Sequence, residues 1–146
     1  MPKIINYVIE AKGWVQHHRV EYLRNYQKNY GFRILTARQF LWRWRIGMLR
    51  HQPVMFTSWR IVHSLLRRNS RLFNSSDYGW FLGAVTSHSN LGGGLDPLNP
   101  IPKRSPEEAY RLAIDLLSRF KVVTVNSKIL HGLLVKAIPK VIYCPN

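Results

Sequence analysis

The residues best suited to chemistry follow a predicted strand in the middle of the chain. The apolar run of residues 80–86 leads into His88, Ser89 and Asn90, and a cluster of glycines follows at residues 92–94. An imidazole at the carboxyl end of a strand can donate one hydrogen bond to a ligand hydroxyl and accept another. A strand that runs into a polar, glycine-rich loop is typical of the edge of a binding site. The alternative interpretation is that His88 is an ordinary loop histidine without a ligand.

Other reactive patterns are too incomplete to predict a site. His17 and His18 are neighbours in a predicted helix, where adjacent side chains diverge by about 100 degrees, and no second cluster has ligand spacing. No metal is therefore expected. Ser127 lacks the Gly-x-Ser-x-Gly turn of a nucleophile and is predicted to cap a helix by accepting backbone N–H groups. The glycines at residues 92–94 lack the Lys-Ser/Thr ending of a phosphate-binding loop.

The charge of the chain indicates an anionic partner. The 146 residues carry a formal net charge of +15. Residues 1–75 hold 14 basic and 2 acidic side chains, whereas residues 76–146 hold 8 and 5. Net charge reports attraction and not the identity of the partner, so nucleic acid, acidic lipid and phosphorylated substrates all remain open. Cys144 is the only cysteine, which excludes an intrachain disulfide and fits a reducing, cytosolic compartment.

Residues 38–71 combine arginine with tryptophan, a composition typical of a surface that meets a membrane interface. On anionic lipid each basic residue near the surface adds about 1 kcal/mol to binding. A solvated face around a tryptophan-rich core is an equally weighted interpretation, and the aromatic rings would also suit base stacking. The predicted membrane or anion contacts are Arg43, Arg45, Arg60, Arg67 and Arg68.

Strands and helices are predicted to alternate around these residues. Residues 3–9 read as a strand, a helix begins near residue 14 or 15, and residues 32–37 read as the next strand. Near the end, residues 122–125 and 141–144 are strands on either side of a helix capped by Ser127. Such connections are right-handed parallel crossovers. The sequence therefore predicts an α/β fold, a three-layer Rossmann-like domain with a mostly parallel sheet flanked by helices.

Three helices carry more specific expectations. Tyr22, Leu23 and Tyr26 are predicted to form one side of the first helix together with Val15 and Tyr30, and Gly31 is predicted to end that helix. For residues 38–50 a helix is favoured over a strand. Beyond a short strand at residues 54–58, the helix that begins near Trp59 is predicted to carry Arg60, Arg67 and Arg68 on its solvent side.

These stretches resemble the N-terminal domain of GT-B-fold glycosyltransferases, in particular the retaining glycosyltransferase family 4 (group 1). The segment IINYVIEAKGWVQHHRVEYL is similar to the family's first strand, loop and helix, and VTSH is similar to its Thr-x-His element. The late strand VVTVNSKIL also matches, and VIYCPN resembles a V-x-x-x-x-P-N-G-V-D segment cut before Gly-Val-Asp. The likeness runs from residue 3 to residue 146 and is weakest over residues 38–80.

The resemblance implies transfer of a sugar from a nucleotide-sugar to a glycan or lipid-linked acceptor, in a cleft between two Rossmann-like domains. Residues 1–146 would be the single acceptor-side domain, inactive alone and binding no cofactor. A C-terminal nucleotide-sugar domain, absent from this chain, would hold the donor. The resemblance also implies that His88 places the donor sugar. The implied substrate-binding residues are Lys12, Gly13, Trp14, Ser89, Asn90 and Ser127.

The expected location is cytoplasmic, at the inner face of a membrane, as in glycan or polysaccharide assembly. The alternative hypothesis is a basic nucleic-acid-binding module without enzymatic activity, which the charge of residues 1–75 favours. No zinc-finger, helix-turn-helix or RNP-type signature supports that alternative.

Overall fold

Strands and helices alternate along the chain in the computed structural model, which describes residues 3–10, 15–86 and 106–145. The strands are β1 (Lys3–Ile9), β2 (Tyr30–Thr36), β3 (Val54–Phe56), β4 (Phe81–Val85), β5 (Val122–Val125) and β6 (Val141–Tyr143). The helices are α1 (Val15–Tyr26), α2 (Ala37–Arg45), α3 (Trp59–Arg68), α4 (Pro106–Leu117) and α5 (Lys128–Leu134), and a 3-10 turn covers Asp77–Trp80.

All six strands lie in one parallel sheet, in the order β2-β1-β3-β4-β5-β6. The predicted three-layer, Rossmann-like α/β fold is confirmed, and every strand expected in the sheet pairs within it. The chain steps one way across the sheet from β1 to β2, and the other way from β2 to β3 and at every later crossover. Because parallel crossovers are right-handed, α1 lies on one face of the sheet and the later helices lie on the other.

The main core lies between the sheet and helices α2 to α5. Phe56, Phe81 and Val123 project from neighbouring strands and are fully buried there. Phe40 from α2 and Leu117 from α4 pack into the same cluster. Large apolar and aromatic side chains fill this layer, so burying it supplies most of the hydrophobic free energy of folding.

On the opposite face, helix α1 packs mainly against β1 and β2. Ile9 and Val20 are buried there, outside the main core. Tyr7 lies beside Phe32 with ring centroids 5.5 Å apart and the ring planes tilted by 57°, and burial raises the pKa of the Tyr7 hydroxyl above its ordinary value. The phenol therefore stays protonated and uncharged at neutral pH.

The aromatic side predicted for α1 is exposed instead of buried. Tyr22 and Tyr26 are 62% and 69% exposed, and Leu23 and Tyr30 are also exposed. Tyr22, Leu23 and Tyr26 do lie within α1, but that helix buries Val20 instead. The prediction that Tyr30 belongs to the same helix is wrong, because Tyr30 is the first residue of β2. The prediction that Gly31 ends this helix is wrong, because α1 ends at Tyr26 and Gly31 pairs within β2.

The predicted helix over residues 38–50 is confirmed as far as Arg45. Thr36 caps α2: its Oγ1 accepts the Gln39 N–H at 3.2 Å, and the Gln39 side chain accepts the Thr36 N–H at 3.0 Å. Trp44 is buried while Trp42 is 60% exposed, which a strand would not allow because both would face one side. The helix ends before Gly47, whose φ of 81° lies in the left-handed region.

Candidate functional site

The carboxyl ends of the strands form one edge of the sheet, and the candidate site lies there. β1 and β3 are neighbours in the sheet, and the strands that follow them lie on opposite sides of this pair. Ligands of open α/β sheets bind in the crevice at such a switch in strand order. Thr57 follows β3 and binds the end of β1, since its N–H and its hydroxyl both donate to the Val8 carbonyl oxygen at 3.2 Å and 2.9 Å. Ser58 then caps α3 by accepting the Arg60 N–H at 3.3 Å. These bonds hold the ends of two central strands in place.

Arg60 lies in the first turn of α3, beside this edge, and is buried with 8% of its surface exposed. The prediction that it shares a solvent-facing side with Arg67 and Arg68 is wrong, although those two arginines are exposed. Trp59 and Ile61 are buried as well, so the first turn of α3 is enclosed all round. Helical spacing alone does not reveal such an enclosure, because it assumes one buried side.

The end of β5 contributes Asn126 and Ser127 to the same edge. The predicted cap is confirmed, since the Ser127 Oγ accepts the N–H groups of Ile129 and Leu130 at 3.2 Å and 3.5 Å. The Oδ1 of Asn126 is buried and receives no hydrogen bond from the described residues. A buried acceptor without a donor costs about 1–3 kcal/mol, which makes this oxygen a candidate ligand contact. Sequence reasoning treated Asn126 only as part of a turn.

Most of the predicted substrate-binding residues lie outside the described part of the chain. Residues 11–14 follow β1 along the chain, and residues 87–105 follow β4, whose end lies between those of β3 and β5. The described ends of β1 and β4 lie at the edge that carries Thr57 and Asn126. The residues concerned are Lys12, Gly13, Trp14, His88, Ser89 and Asn90.

A basic and apolar surface lies on the outer side of α2. Arg45 and Ile46 lie three and four residues after Trp42, so both are neighbours of Trp42 on the same side at the end of the helix. Trp42 and Ile46 are 60% and 53% exposed, Arg45 is exposed and Arg43 is half-buried. Cations and large apolar groups are thus displayed together, as at an interfacial surface.

The described residues contain neither a metal-binding cluster nor a membrane-spanning helix. No group of three or more His, Cys, Asp or Glu side chains within residues 3–10, 15–86 and 106–145 could hold a metal ion. Over the same residues, no helix combines the length and apolar character needed to cross a membrane.

A cavity of about 490 Å³ lies away from the carboxyl edge. Tyr78, which lines it, lies just before the amino end of β4, and Arg119 follows the last turn of α4. Asp115 already binds the Arg119 guanidinium at 2.9 Å, and that guanidinium lies 6.0 Å from the Tyr78 ring centroid. The other lining residues are Leu66, Ser70, Phe73 and Ser75. None of the predicted site residues lines this cavity.

Comparison of the chain with known protein families, with curated proteins and with solved structures found no match. The class of protein is therefore defined by its fold and by the polar residues at the carboxyl edge of the sheet. It is an α/β domain with an all-parallel six-stranded sheet and polar groups where the central strands end.

Proposed function

We propose that this chain is the acceptor-side domain of a retaining glycosyltransferase that moves a sugar from a nucleotide-sugar to a glycan or lipid-linked acceptor. The buried Oδ1 of Asn126 carries the proposal, because this acceptor at the carboxyl edge matches the hydroxyl donors of a sugar. The resemblance of the chain to the GT-B family supplies the reaction type. A second domain would hold the donor nucleotide, and His88 would orient the donor sugar.

The proposed chemistry depends on positioning more than on a reactive group. Buried hydrogen-bond partners that fit the sugar would hold acceptor and donor in line, which is how an enzyme lowers the entropic part of the barrier. Thr57 and Ser127 contribute through backbone geometry, because their side chains already bond to backbone atoms. Asn126 differs from both, because its buried Oδ1 receives no hydrogen bond from the described residues.

Replacing Asn126 with alanine is expected to weaken sugar binding about tenfold, the loss of one hydrogen bond at a desolvated position. The measurement is a saturation-transfer NMR titration of this chain with several soluble disaccharides, which stand in for the glycan acceptor. The exposed Asn74, replaced by alanine, is the matched control and should leave the affinity unchanged. Absence of binding by every probe, or equal binding by both variants, would contradict the proposal.

The surface of α2 supports a location at an anionic membrane. The double variant Trp42→Ser with Arg45→Gln is expected to bind vesicles of phosphatidylcholine and phosphatidylserine about tenfold more weakly, since each basic residue contributes about 1 kcal/mol and the indole adds apolar burial. The control removes an equally exposed pair from α1, Tyr26→Ser with Arg24→Gln. Co-sedimentation measures both, and equal losses would contradict a specific membrane surface.

The same exposed Trp42 beside arginines also favours the alternative of a nucleic-acid-binding module. A salt titration with a single-stranded oligonucleotide separates the two functions, because nucleic-acid affinity falls steeply with salt. Tight vesicle binding without comparable oligonucleotide binding would exclude the module. The reverse result would exclude the membrane location.

A further inference from the structure

The second face of the sheet between β3 and β6, here called the open face, consists of Met55, Leu82, Ala84, Val122, Thr124 and Ile142. Register partners join them in rows across the sheet: Met55 pairs with Leu82 and Leu82 with Val122. In the next row Ala84 pairs with Thr124 and Thr124 with Ile142. Successive strand residues point to opposite faces. The alternate residues on these strands fill the main core, so the six face the other way.

The described residues leave the open face partly uncovered. Met55, Leu82 and Val122 are half-buried, and Ile142 is 49% exposed. None of the six belongs to the main core or packs against it. By the direction of the crossovers α1 shares this side, but it packs over β1 and β2. All-parallel sheets are otherwise found with both faces covered, so the apolar area that the described residues leave accessible here is a candidate docking surface.

The open face is wide enough, and apolar enough, to bind one helix. From β3 to β6 it spans three strand spacings, about 14 Å, and a helix with its side chains is about 10–12 Å across. Thr124, the one hydroxyl on the face, already donates to the Gly83 carbonyl oxygen at 3.3 Å. The rest of the strip presents hydrocarbon, which suits the apolar stripe of an amphipathic helix.

The charge around the open face defines the flanks of such a helix. Lys140 comes just before β6 and is exposed. It lies two residues before Ile142, so in an extended chain its side chain points to the same side of the sheet. Lys3 has the same orientation as Tyr7 at the start of β1 and is also exposed. None of the six strands contains an aspartate or a glutamate. A helix with acidic flanks therefore complements this side of a chain whose net charge is +15.

We propose that the open face binds an amphipathic α-helix with acidic flanks from a partner protein, which completes the second helical layer of the sheet. The helix would place leucine-like side chains at positions i, i+3, i+4 and i+7 on Leu82, Val122 and Ile142, and glutamates toward Lys140. This surface is separate from the carboxyl edge, so its role does not depend on sugar transfer.

The probe is a fluorescein-labelled peptide of about 18 residues with a leucine stripe and glutamate flanks, measured by fluorescence anisotropy. We expect micromolar binding, and about tenfold weaker binding by a peptide of the same design with lysine flanks. Ile142→Lys should weaken binding of the acidic peptide about tenfold, because it puts a charge into the apolar contact. Ile129→Lys is the matched control, since Ile129 is 72% exposed on α5, and should bind as the unchanged protein does.

Ile142→Ser removes apolar area without adding charge and should weaken binding about threefold, which keeps the test valid if the lysine variant does not fold. The proposal is overturned if neither peptide binds at about 100 μM, if both bind equally, or if the Ile129 and Ile142 variants lose equal affinity. A dimer seen by analytical ultracentrifugation and dissolved by Ile142→Ser would also overturn it, because a second copy of the chain would then occupy the face.

Discussion

Replacing Phe81 with alanine is expected to lower the free energy of unfolding by about 3–5 kcal/mol. Phe81 is fully buried at the start of β4 and joins several elements of the main core. Its ring centroid lies 4.9 Å from that of Phe73, 5.0 Å from Phe56 and 5.5 Å from Trp44. Removal of the ring loses these contacts and leaves a cavity that such large, interlocked neighbours fill only in part.

The measurement is urea unfolding followed by circular dichroism at neutral pH. A typical domain is stable by about 5–15 kcal/mol, so the expected loss is a large share of the total. Tyr26→Ala is the control, because this aromatic ring is 69% exposed, and it should change stability by less than about 1 kcal/mol. A loss below about 1 kcal/mol for Phe81→Ala would show that the aromatic cluster does not hold the sheet to its helices.

Adding a single methyl group at Gly83 is expected to destabilise the fold by about 1–3 kcal/mol. A Cβ at this position would lie 2.9 Å from the Cδ2 of Phe120 and 3.1 Å from the Cδ2 of Leu117. Both side chains belong to the packed main core, so neither can move aside without displacing others. At Gly83, α4 and the turn after it therefore pack closely against the sheet.

The matched control for Gly83→Ala is Gly132→Ala, which should stabilise the protein by about 0.5–1 kcal/mol. Gly132 is exposed within α5, nothing lies within 4 Å of a Cβ there, and alanine favours the helix. The two substitutions are chemically identical and differ only in their surroundings. Urea unfolding of both variants under the same conditions measures the contrast. Effects of the same sign would contradict the close approach of α4 to the sheet.

Short-range sequence patterns predicted the helices and strands well where the apolar residues of the pattern are also the buried ones in the structure. The β-branched run at β5 and the serine cap at Ser127 form within a few residues, and both are confirmed. Helix α2 was favoured on the spacing of its apolar residues, and Phe40 and Trp44 are both buried. Its capping box of Thr36 and Gln39 was not predicted, because residues 32–37 were predicted to be a strand. Such predictions succeed because the interactions involved join residues close in sequence.

The same local patterns failed where distant parts of the chain decide burial. The aromatic residues of α1 have helical spacing, yet the helix buries Val20 and exposes Tyr22 and Tyr26. Arg60 looked like a surface cation, yet the first turn of α3 is enclosed on every side. Which side of a helix meets a sheet depends on crossover direction and on neighbouring helices, neither of which appears in a short window of sequence.

The sequence by itself determined the class of fold, the positions of most strands and the strong positive charge, since these depend on composition and on short-range periodicity. Only the tertiary structure decided that β1 and β3 become neighbours, that the buried Asn126 oxygen at the shared edge receives no hydrogen bond from the described residues, and that those residues leave Ile142 of β6 exposed. The reason is physical. Strand order and burial arise from contacts between residues far apart in the chain, and such contacts leave no local signature in the sequence.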